Sequence, residues 1–186
     1  QLHLEGSRQV ALGDLNRDGY TDAVFCPNQI GVHHERRHLS IAWGGANGWE
    51  ARRINGALPM QGAIDVAIAD LNDDEYPDIA VLGSERWRVD QPAGRIVRVF
   101  WGSHDGYELI DRSDLGVAEG VDLAAADVDG NGRRELAVLS TKGQVTLVTS
   151  DDDAAHAKRP RIHVITLPDK DVTCLAAADW EGRGQV

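Results

Sequence analysis

Several features that would place the chain in a familiar class are scarce or absent. The sequence of 186 residues has two cysteines, no apolar run of 18 residues, and 19 basic residues against 30 acidic ones. The two thiols, Cys26 and Cys174, are too few for a disulfide scaffold, and we expect both to be buried and unpaired. The short apolar runs exclude a membrane-spanning helix. A net charge of −11 argues against nucleic-acid binding, because phosphate recognition needs a basic surface.

Catalytic signatures are also missing from the sequence. We find no G-x-S-x-G motif, no glycine-rich phosphate loop and no C-x-x-C pair. No signal peptide is visible, and the first residue is Gln1 rather than Met, which fits a processed or excised piece of a longer chain. These absences argue against an enzyme but do not decide the question.

The most informative feature that is present is an acidic segment that occurs three times. It reads DLNRDGYTD at 14–22 (loop 1), DLNDDEYPD at 70–78 (loop 2) and DVDGNGRRE at 127–135 (loop 3). A broken copy, DWEGRGQV, stands at 179–186. The three loops contain 11 carboxylates and three arginines, so they account for −8 of the net charge of −11. The acidity is therefore local, as expected for ion sites rather than for a solvated acidic surface.

Short apolar runs flank every loop. The runs before the loops are VALG, VAIA, LAAA and LAAA, at 10–13, 66–69, 123–126 and 175–178. The runs after the three complete loops are AVF, IAVL and LAVL, at 23–25, 79–82 and 136–139. Runs of this length between turn residues predict strands that are buried on both faces.

A second shared segment follows the first two loops. The sequences WGGANGWE at 43–50 and WGSHDGYE at 101–108 both fit W-G-x-x-x-G-[WY]-E, and their glycines suit a hairpin turn. Trp43 and Trp101 then fall at the ends of strands, where we expect them to pack between repeats. Each repeat supplies about four strands, and no segment has helical periodicity with caps. The predicted fold class is all-β, a β-propeller of four-stranded antiparallel blades.

The apolar–D-x-[DN]-x-[DN]-G-x-x-[DE]–apolar pattern resembles the FG-GAP or VCBS repeat, which is the repeat of the integrin α-subunit propeller and of many secreted propellers. The resemblance implies a partial propeller over 1–186, with blades at about 7–60, 62–116 and 119–167 and a fourth starting at about 171. It implies a complete ring of seven blades, the others coming from the same or another chain. The departures are Glu75, where glycine is usual, and Arg183, where an oxygen ligand is usual.

Oxygen-rich turns of this kind suit calcium, which takes six to eight oxygen ligands. Side chains at loop positions 1, 3, 5 and 9 and the carbonyl at position 7 can surround one ion, with a sharp bend at position 6. About three structural Ca²⁺ ions are therefore expected. The predicted ligands are Asp14, Asn16, Asp18, Tyr20 and Asp22 in loop 1, Asp70, Asn72, Asp74, Tyr76 and Asp78 in loop 2, and Asp127, Asp129, Asn131, Arg133 and Glu135 in loop 3.

Other metal sites fit less well. An EF-hand needs a bidentate glutamate at position 12 and flanking helices, but here position 12 is Phe25, Val81 or Val138. Magnesium keeps several waters and seldom uses a full protein cage. Zinc would require histidine or cysteine, and the loops contain neither. Because of the side chain of Glu75, binding in loop 2 is expected to be weaker than in the other loops.

Two long basic segments, 27–38 and 83–94, are predicted on the propeller face opposite the calcium loops. Long loops on a rigid scaffold commonly carry recognition. The predicted ligand face consists of His33, His34, Arg36, Arg37, Arg86, Trp87 and Arg88. Arginine beside tryptophan suits an anionic glycan or an acidic protein segment.

The favoured function is a calcium-binding module for protein or glycan recognition or adhesion, in an extracellular, periplasmic or cell-surface location. The alternatives are a propeller part, catalytic or not, of a secreted polysaccharide-active enzyme, and a scaffold subunit of a larger assembly. Solvated loops and contacts to further blades also remain open for the ligand face.

Overall fold

The computed structural model describes residues 7–27, 38–49, 54–85, 94–117, 119–149, 161–166 and 174–176. Twelve strands lie in these ranges, and the described residues contain no helix. The strands are β1 (Ser7–Gly13), β2 (Asp22–Pro27), β3 (His38–Ala42), β4 (Ile54–Pro59), β5 (Asp65–Ala69), β6 (Asp78–Glu85), β7 (Gly94–Phe100), β8 (Arg112–Gly116), β9 (Gly120–Ala126), β10 (Glu135–Ser140), β11 (Gln144–Thr149) and β12 (Arg161–Thr166). The all-β prediction is therefore confirmed for this part of the chain.

The strands form three four-stranded antiparallel sheets in which chain neighbours pair side by side. Sheet 1 contains β1 to β4, sheet 2 contains β5 to β8, and sheet 3 contains β9 to β12. Each acidic loop joins the first strand of a sheet to the second. The register places the two ends of every loop opposite each other: Gly13 pairs with Asp22, Ala69 with Asp78, and Ala126 with Glu135. The sheets are thus three copies of one unit, each with an acidic loop at the same corner.

Two apolar cores lie between consecutive sheets. Between sheets 1 and 2, Val24, Leu39 and Ile41 pack with Val66, Val81 and Phe100. Between sheets 2 and 3, Leu82, Val97 and Val99 pack with Leu123, Leu136 and Val138. Trp101 lies in the second core and is 3% exposed, which confirms its predicted role between repeats. Trp43 is partly buried against the first core.

The prediction of strands buried on both faces holds for some strands and is wrong for β1. Every residue of β5 except one is buried, and so is every residue of β10 except one. On β1, by contrast, Val10 is 51% exposed and Leu12 is 56% exposed. The reason is positional: β1 contacts β5 of sheet 2 on one side, and none of the sheets in the described ranges covers its other side.

The two cysteines differ in environment. Cys26 is buried in the core between sheets 1 and 2, as predicted, and burial raises the pKa of its thiol to about 12. Cys174 is exposed, so its predicted burial is wrong. Both thiols are free. No helix of sufficient length and apolarity to span a membrane occurs among the described residues.

The predicted ligand face falls on segments that the structure does not describe. All seven of its residues, from His33 to Arg88, lie outside the described ranges. The broken fourth loop at 179–186 lies outside them as well.

Candidate metal-binding loops

The aspartate at position 1 organises each loop by accepting hydrogen bonds from the loop backbone. Asp14 accepts from the amides of Asp18 and Gly19 at 3.0 and 2.8 Å. Asp70 does the same in loop 2, with the amides of Asp74 and Glu75 at 3.2 and 2.7 Å. In loop 3, Asp127 accepts from three backbone amides, those of Gly130, Asn131 and Gly132. These bonds wrap the turn around the first carboxylate, so carboxylate and amide oxygens gather on its inner side.

Positions 3 and 5 are joined to each other in every loop. The amide nitrogen of Asn16 donates to Asp18 at 3.1 Å, and that of Asn72 donates to Asp74 at 2.9 Å. In loop 3 the direction is reversed, and Asn131 at position 5 donates to Asp129 at position 3, at 3.0 Å. This hydrogen bond explains why each loop has one amide and one acid at positions 3 and 5, in either order. Two carboxylates at these positions would repel each other.

The acid at position 9 is buried and binds the backbone of two different segments in repeats 1 and 2. Asp22 is fully buried and accepts from the amides of Leu15 at 2.8 Å and Gly44 at 2.6 Å. Asp78, also fully buried, accepts from the amides of Leu71 and Gly102, both at 2.8 Å. The two glycines are the second residues of the two W-G segments. That segment is therefore linked directly to its acidic loop.

The aromatic residue near the end of the same segment forms a second link. The Trp49 indole donates to the carbonyl of Thr21 at 2.7 Å, and the Tyr107 hydroxyl donates to the carbonyl of Pro77 at 2.7 Å. Both carbonyls belong to loop position 8. A Cβ atom on Gly44 or Gly102 would collide with the backbone of Thr21 or Pro77. The W-G-x-x-x-G-[WY] pattern thus fastens the end of each loop to the third strand, which sequence reasoning took only for a hairpin turn.

Loop 3 lacks this segment and is built differently. The longer Glu135 replaces aspartate at position 9 and accepts from the amide of Val128 at 2.7 Å. Ligand oxygens of Asp127, Asp129 and Glu135 lie within 4.8 Å of one another, and within the described ranges this is the group of three acidic side chains that could hold a metal ion. Three carboxylates at this separation repel one another unless a cation lies between them.

Loop 2 contains a buried oxygen that has no protein partner. Asn72 is 2% exposed, and its Oδ1 accepts no hydrogen bond, the one such buried side-chain atom in the described part of the chain. An unsatisfied buried acceptor costs about 1–3 kcal/mol. Asn72 occupies the position whose side-chain oxygen is a predicted ligand. Together with the carboxylates of Asp70, Asp74 and Asp78, this oxygen fits the donor set that calcium takes.

The turn requires left-handed backbone conformations at positions 4 and 6. At position 6, φ is 84° for Gly19, 72° for Glu75 and 89° for Gly132, which confirms the bend expected there. At position 4, φ is 59° for Arg17 and 60° for Asp73, which the sequence pattern does not reveal. A non-glycine residue in this region costs of order 1 kcal/mol. Loop 2 carries that cost twice.

Neighbouring loops contact each other through arginines. Arg17 of loop 1 lies 3.2 Å from the Glu75 carboxylate and 5.2 Å above the ring of Tyr76 in loop 2. Arg133 of loop 3 lies 3.7 Å from the Asp73 carboxylate on the other side of loop 2. The two non-glycine residues that strain loop 2 are therefore the ones that meet the arginines of its neighbours.

Burial shifts the titration of the position-9 acids. Desolvation raises the pKa of Asp78 to about 7, although the amides of Gly102 and Leu71 act in the opposite direction. It also raises the pKa of Asp22 and of Glu135 above their ordinary values. The carboxylates at positions 1 and 5 add to this effect in loops 1 and 2 by charge repulsion.

All predicted loop ligands lie in the described ranges, and each set occupies the same corner of its sheet. Within those ranges, loop 3 is the loop in which the oxygens of three acids lie within 4.8 Å of one another. Their coordination of an ion stays a prediction, as does the use of the Tyr20, Tyr76 and Arg133 carbonyls. Gly44, Gly102, Trp49 and Tyr107 are the residues that sequence reasoning did not assign to the loops. The recurrence of W-G-x-x-x-G-[WY] after both loops was the signal that could have found them.

An all-β chain of repeated antiparallel sheets, each with an aspartate-rich turn between its first two strands, is the class that these observations define. Residues 70–138 match the family model of the FG-GAP-like repeat. This segment runs from the first aspartate of loop 2 through loop 3 into β10, and the match confirms the resemblance noted from the sequence. No curated protein matches the chain.

Proposed function

We propose that the chain is a calcium-binding β-propeller module in which each acidic loop binds one Ca²⁺ ion. The observation that carries the proposal is the trio of Asp127, Asp129 and Glu135, whose oxygens lie within 4.8 Å of one another. The unpartnered Asn72 Oδ1 supports the same assignment in loop 2. Calcium suits these loops because their donors are oxygens and because the ion tolerates irregular coordination.

The role proposed for the ion is structural. Each loop joins the first two strands of a sheet. Its position-9 acid is the first residue of the second strand and pairs with the last residue of the first strand. Neutralising the clustered carboxylates would stabilise this corner of every sheet. The seven-bladed ring, with blades at about 7–60, 62–116 and 119–167, is proposed from the family resemblance and the three repeated sheets.

The proposed use of the module is recognition of a protein or glycan outside the cytoplasm. Millimolar calcium in such locations suits exposed loops of this kind. The partner-binding surface is proposed on the segments around Arg36, Arg37, Arg86, Trp87 and Arg88, on the grounds of their charge and aromatic content alone.

A calorimetric calcium titration of the chelator-treated protein tests the metal assignment. Asp127→Asn should remove one binding event, because it converts one of three mutually close carboxylates into an amide. Asp105→Asn is the matched control, since the Asp105 side chain is 89% exposed and belongs to none of the three loops. Full calcium stoichiometry in Asp127→Asn, or no calcium uptake by the wild type, would refute the assignment.

A further inference from the structure

The first strands of sheets 2 and 3, β5 and β9, are linked by a carboxylate at the end of β5 opposite its acidic loop. Asp65, the first residue of β5, is 6% exposed. Its Oδ1 accepts from the amide of Val66 at 2.8 Å, and its Oδ2 accepts from the amide of Leu123 on β9 at 2.9 Å. The second of these bonds crosses from one sheet to the next.

Asp122, the residue before Leu123, extends the same arrangement. Its Oδ2 accepts from the amide of Leu175 at 2.5 Å. The carboxyl groups of Asp65 and Asp122 are also hydrogen-bonded to each other. Two ionised carboxylates have only acceptors, so this bond exists only when one of the two groups carries a proton.

Asp65 and Asp122 occupy equivalent positions in two consecutive repeats. Asp65 and Asp122 each lie five residues before the first aspartate of a loop, and the equivalent residues of the first and fourth repeats are Gln9 and Cys174. The junction between sheets 2 and 3 is therefore the one at which the repeat places two carboxyl groups next to each other.

We propose that Asp65 and Asp122 share one proton and act as a pH-sensitive latch between the first strands of sheets 2 and 3. In the closed form, the protonated carboxyl donates its O–H to the other carboxylate. Rising pH releases that single proton to solvent and leaves two adjacent carboxylates that repel each other. The backbone bonds to Leu123 and Leu175 persist in both forms, so the junction loosens without separating.

Among the described residues, titratable groups lie on four strands around the pair: β1, β2, β6 and β10. On β2, the Cys26 thiol lies close enough for the Asp65 charge to raise its pKa, and Arg8 of β1 acts on that thiol in the opposite direction. The acids Asp78 on β6 and Glu135 on β10 are at the loop ends of their strands, opposite Ala69 and Ala126. Asp65 and Asp122 are at the other ends, opposite Leu82 and Leu139, and Glu85 ends β6 beyond Leu82.

The titration of Asp65 agrees with this geometry. Burial, and then the hydrogen bond with Asp122, raise the pKa of Asp65 to about 6, against the lowering effect of the Leu123 and Val66 amides. Because the folded state holds the proton more tightly than the unfolded chain, this group's contribution to stability is full below its ordinary pKa of about 4 and is lost as the pH rises through 6. The latch is therefore closed well below pH 6 and opens as the pH rises through 6.

The test is a carboxyl-carbon NMR titration of the protein from pH 4 to pH 8 in saturating calcium, so that the loop acids stay bound. We expect wild-type Asp65 to titrate near pH 6. In Asp122→Asn, the amide supplies a permanent N–H donor to Asp65, so the midpoint should fall below the wild-type value, while burial of Asp65 keeps it above its ordinary value of about 4. The remaining amide oxygen can still accept from Leu175.

Asp105→Asn removes one exposed negative charge elsewhere and should leave the Asp65 midpoint unchanged. A wild-type midpoint near 4, or an unchanged midpoint in Asp122→Asn, would overturn the proposal. If Asp122→Asn does not fold, Asp122→Ser serves as the second variant, since its hydroxyl also donates and should lower the Asp65 midpoint in the same way. Urea unfolding at pH 5 and pH 8 adds a second readout: the wild type should unfold at a lower urea concentration at pH 8 than at pH 5, and this difference should be smaller in Asp122→Asn.

Discussion

Single side chains join separate segments of this protein by binding their backbone groups. Asp22, Asp78 and Asp65 each accept from amides of two strands or loops, and none is more than 6% exposed. Sequence reasoning predicted the two loop acids, Asp22 and Asp78, as metal ligands but did not foresee their backbone bonds. Those bonds depend on Gly44, Gly102 and Leu123, which are distant in sequence and are brought close only by the fold.

Arg98 is a buried charge that joins sheet 2 to sheet 1. It is 3% exposed, pairs with Asp114 at 2.6 and 2.7 Å, and donates to the carbonyl of Pro59 in sheet 1 at 2.9 Å. Arg98→Met should cost about 3 kcal/mol in free energy of unfolding, because it leaves Asp114 without its buried partner. Arg112→Met is the control, since Arg112 lies 4.0 Å from Asp114 and is 34% exposed, and it should cost less than about 1 kcal/mol. Equal losses in urea unfolding would contradict this account.

Gly102 tests the link between the W-G segment and loop 2. A Cβ atom at this position would collide with the Pro77 carbonyl and crowd Tyr76. Gly102→Ala should therefore lower the free energy of unfolding by about 1–3 kcal/mol, the usual cost of overpacking. Gly116→Ala, at a strand position with open space around it, is the matched control and should change stability little. Similar melting temperatures for the two variants would show that the backbone of Gly102 is not packed tightly against Pro77.

At the scale of elements, the positions of the strands were more predictable than the contacts between loops of neighbouring sheets. Alternating apolar runs and turn residues identified β2, β6 and β10 because these strands are short and buried, as their sequences indicate. The contacts of Arg17 and Arg133 with loop 2 were not predictable, because they join repeats whose relative placement the sequence does not specify. From the sequence, Glu75 at the usual glycine position was expected only to weaken ion binding. In the fold, the Glu75 carboxylate forms an ion pair with Arg17.

The pKa of Asp78 predicts how calcium binding in loop 2 depends on pH. The carboxyl group titrates near 7 in the metal-free chain and is protonated below that value, so protons compete with the ion. Calcium affinity of loop 2 should rise roughly tenfold between pH 6 and pH 8, as the ionised fraction of Asp78 rises. The measurement is calorimetry on an Asp14→Ala/Asp127→Ala variant, in which loops 1 and 3 are disabled. An affinity that does not change with pH would exclude Asp78 as a ligand.

At the scale of the whole molecule, sheet 1 differs from sheet 2 in its first strand. Two large apolar side chains on the outer face of β1 are exposed to solvent. Val10 is 51% exposed and Leu12 is 56% exposed, whereas the equivalent residues of β5, Val66 and Ile68, are covered or partly covered. A further sheet packed on this face would complete the stacking seen between sheets 1, 2 and 3. The sequence pattern does not distinguish a covered from an uncovered first strand, since both are apolar.

We therefore expect the 186-residue chain by itself to self-associate through this face. Light scattering after size exclusion should show species larger than a monomer, and Val10→Ser/Leu12→Ser should reduce them because the substitutions lower the apolar area that association buries. Ile110→Ser is the control, since Ile110 is 88% exposed but lies in the segment between β7 and β8. A monomeric wild-type chain would contradict the expectation of further blades on this face.

The central claim is that each of the three acidic loops binds one calcium ion, and native mass spectrometry tests it most directly. The chelator-treated protein, returned to calcium, should carry three ions, and Asp14→Ala, Asp70→Ala and Asp127→Ala should each carry two, because each loses the carboxylate around which its loop is wrapped. A protein that binds no calcium, or variants that all retain three ions, would contradict the account.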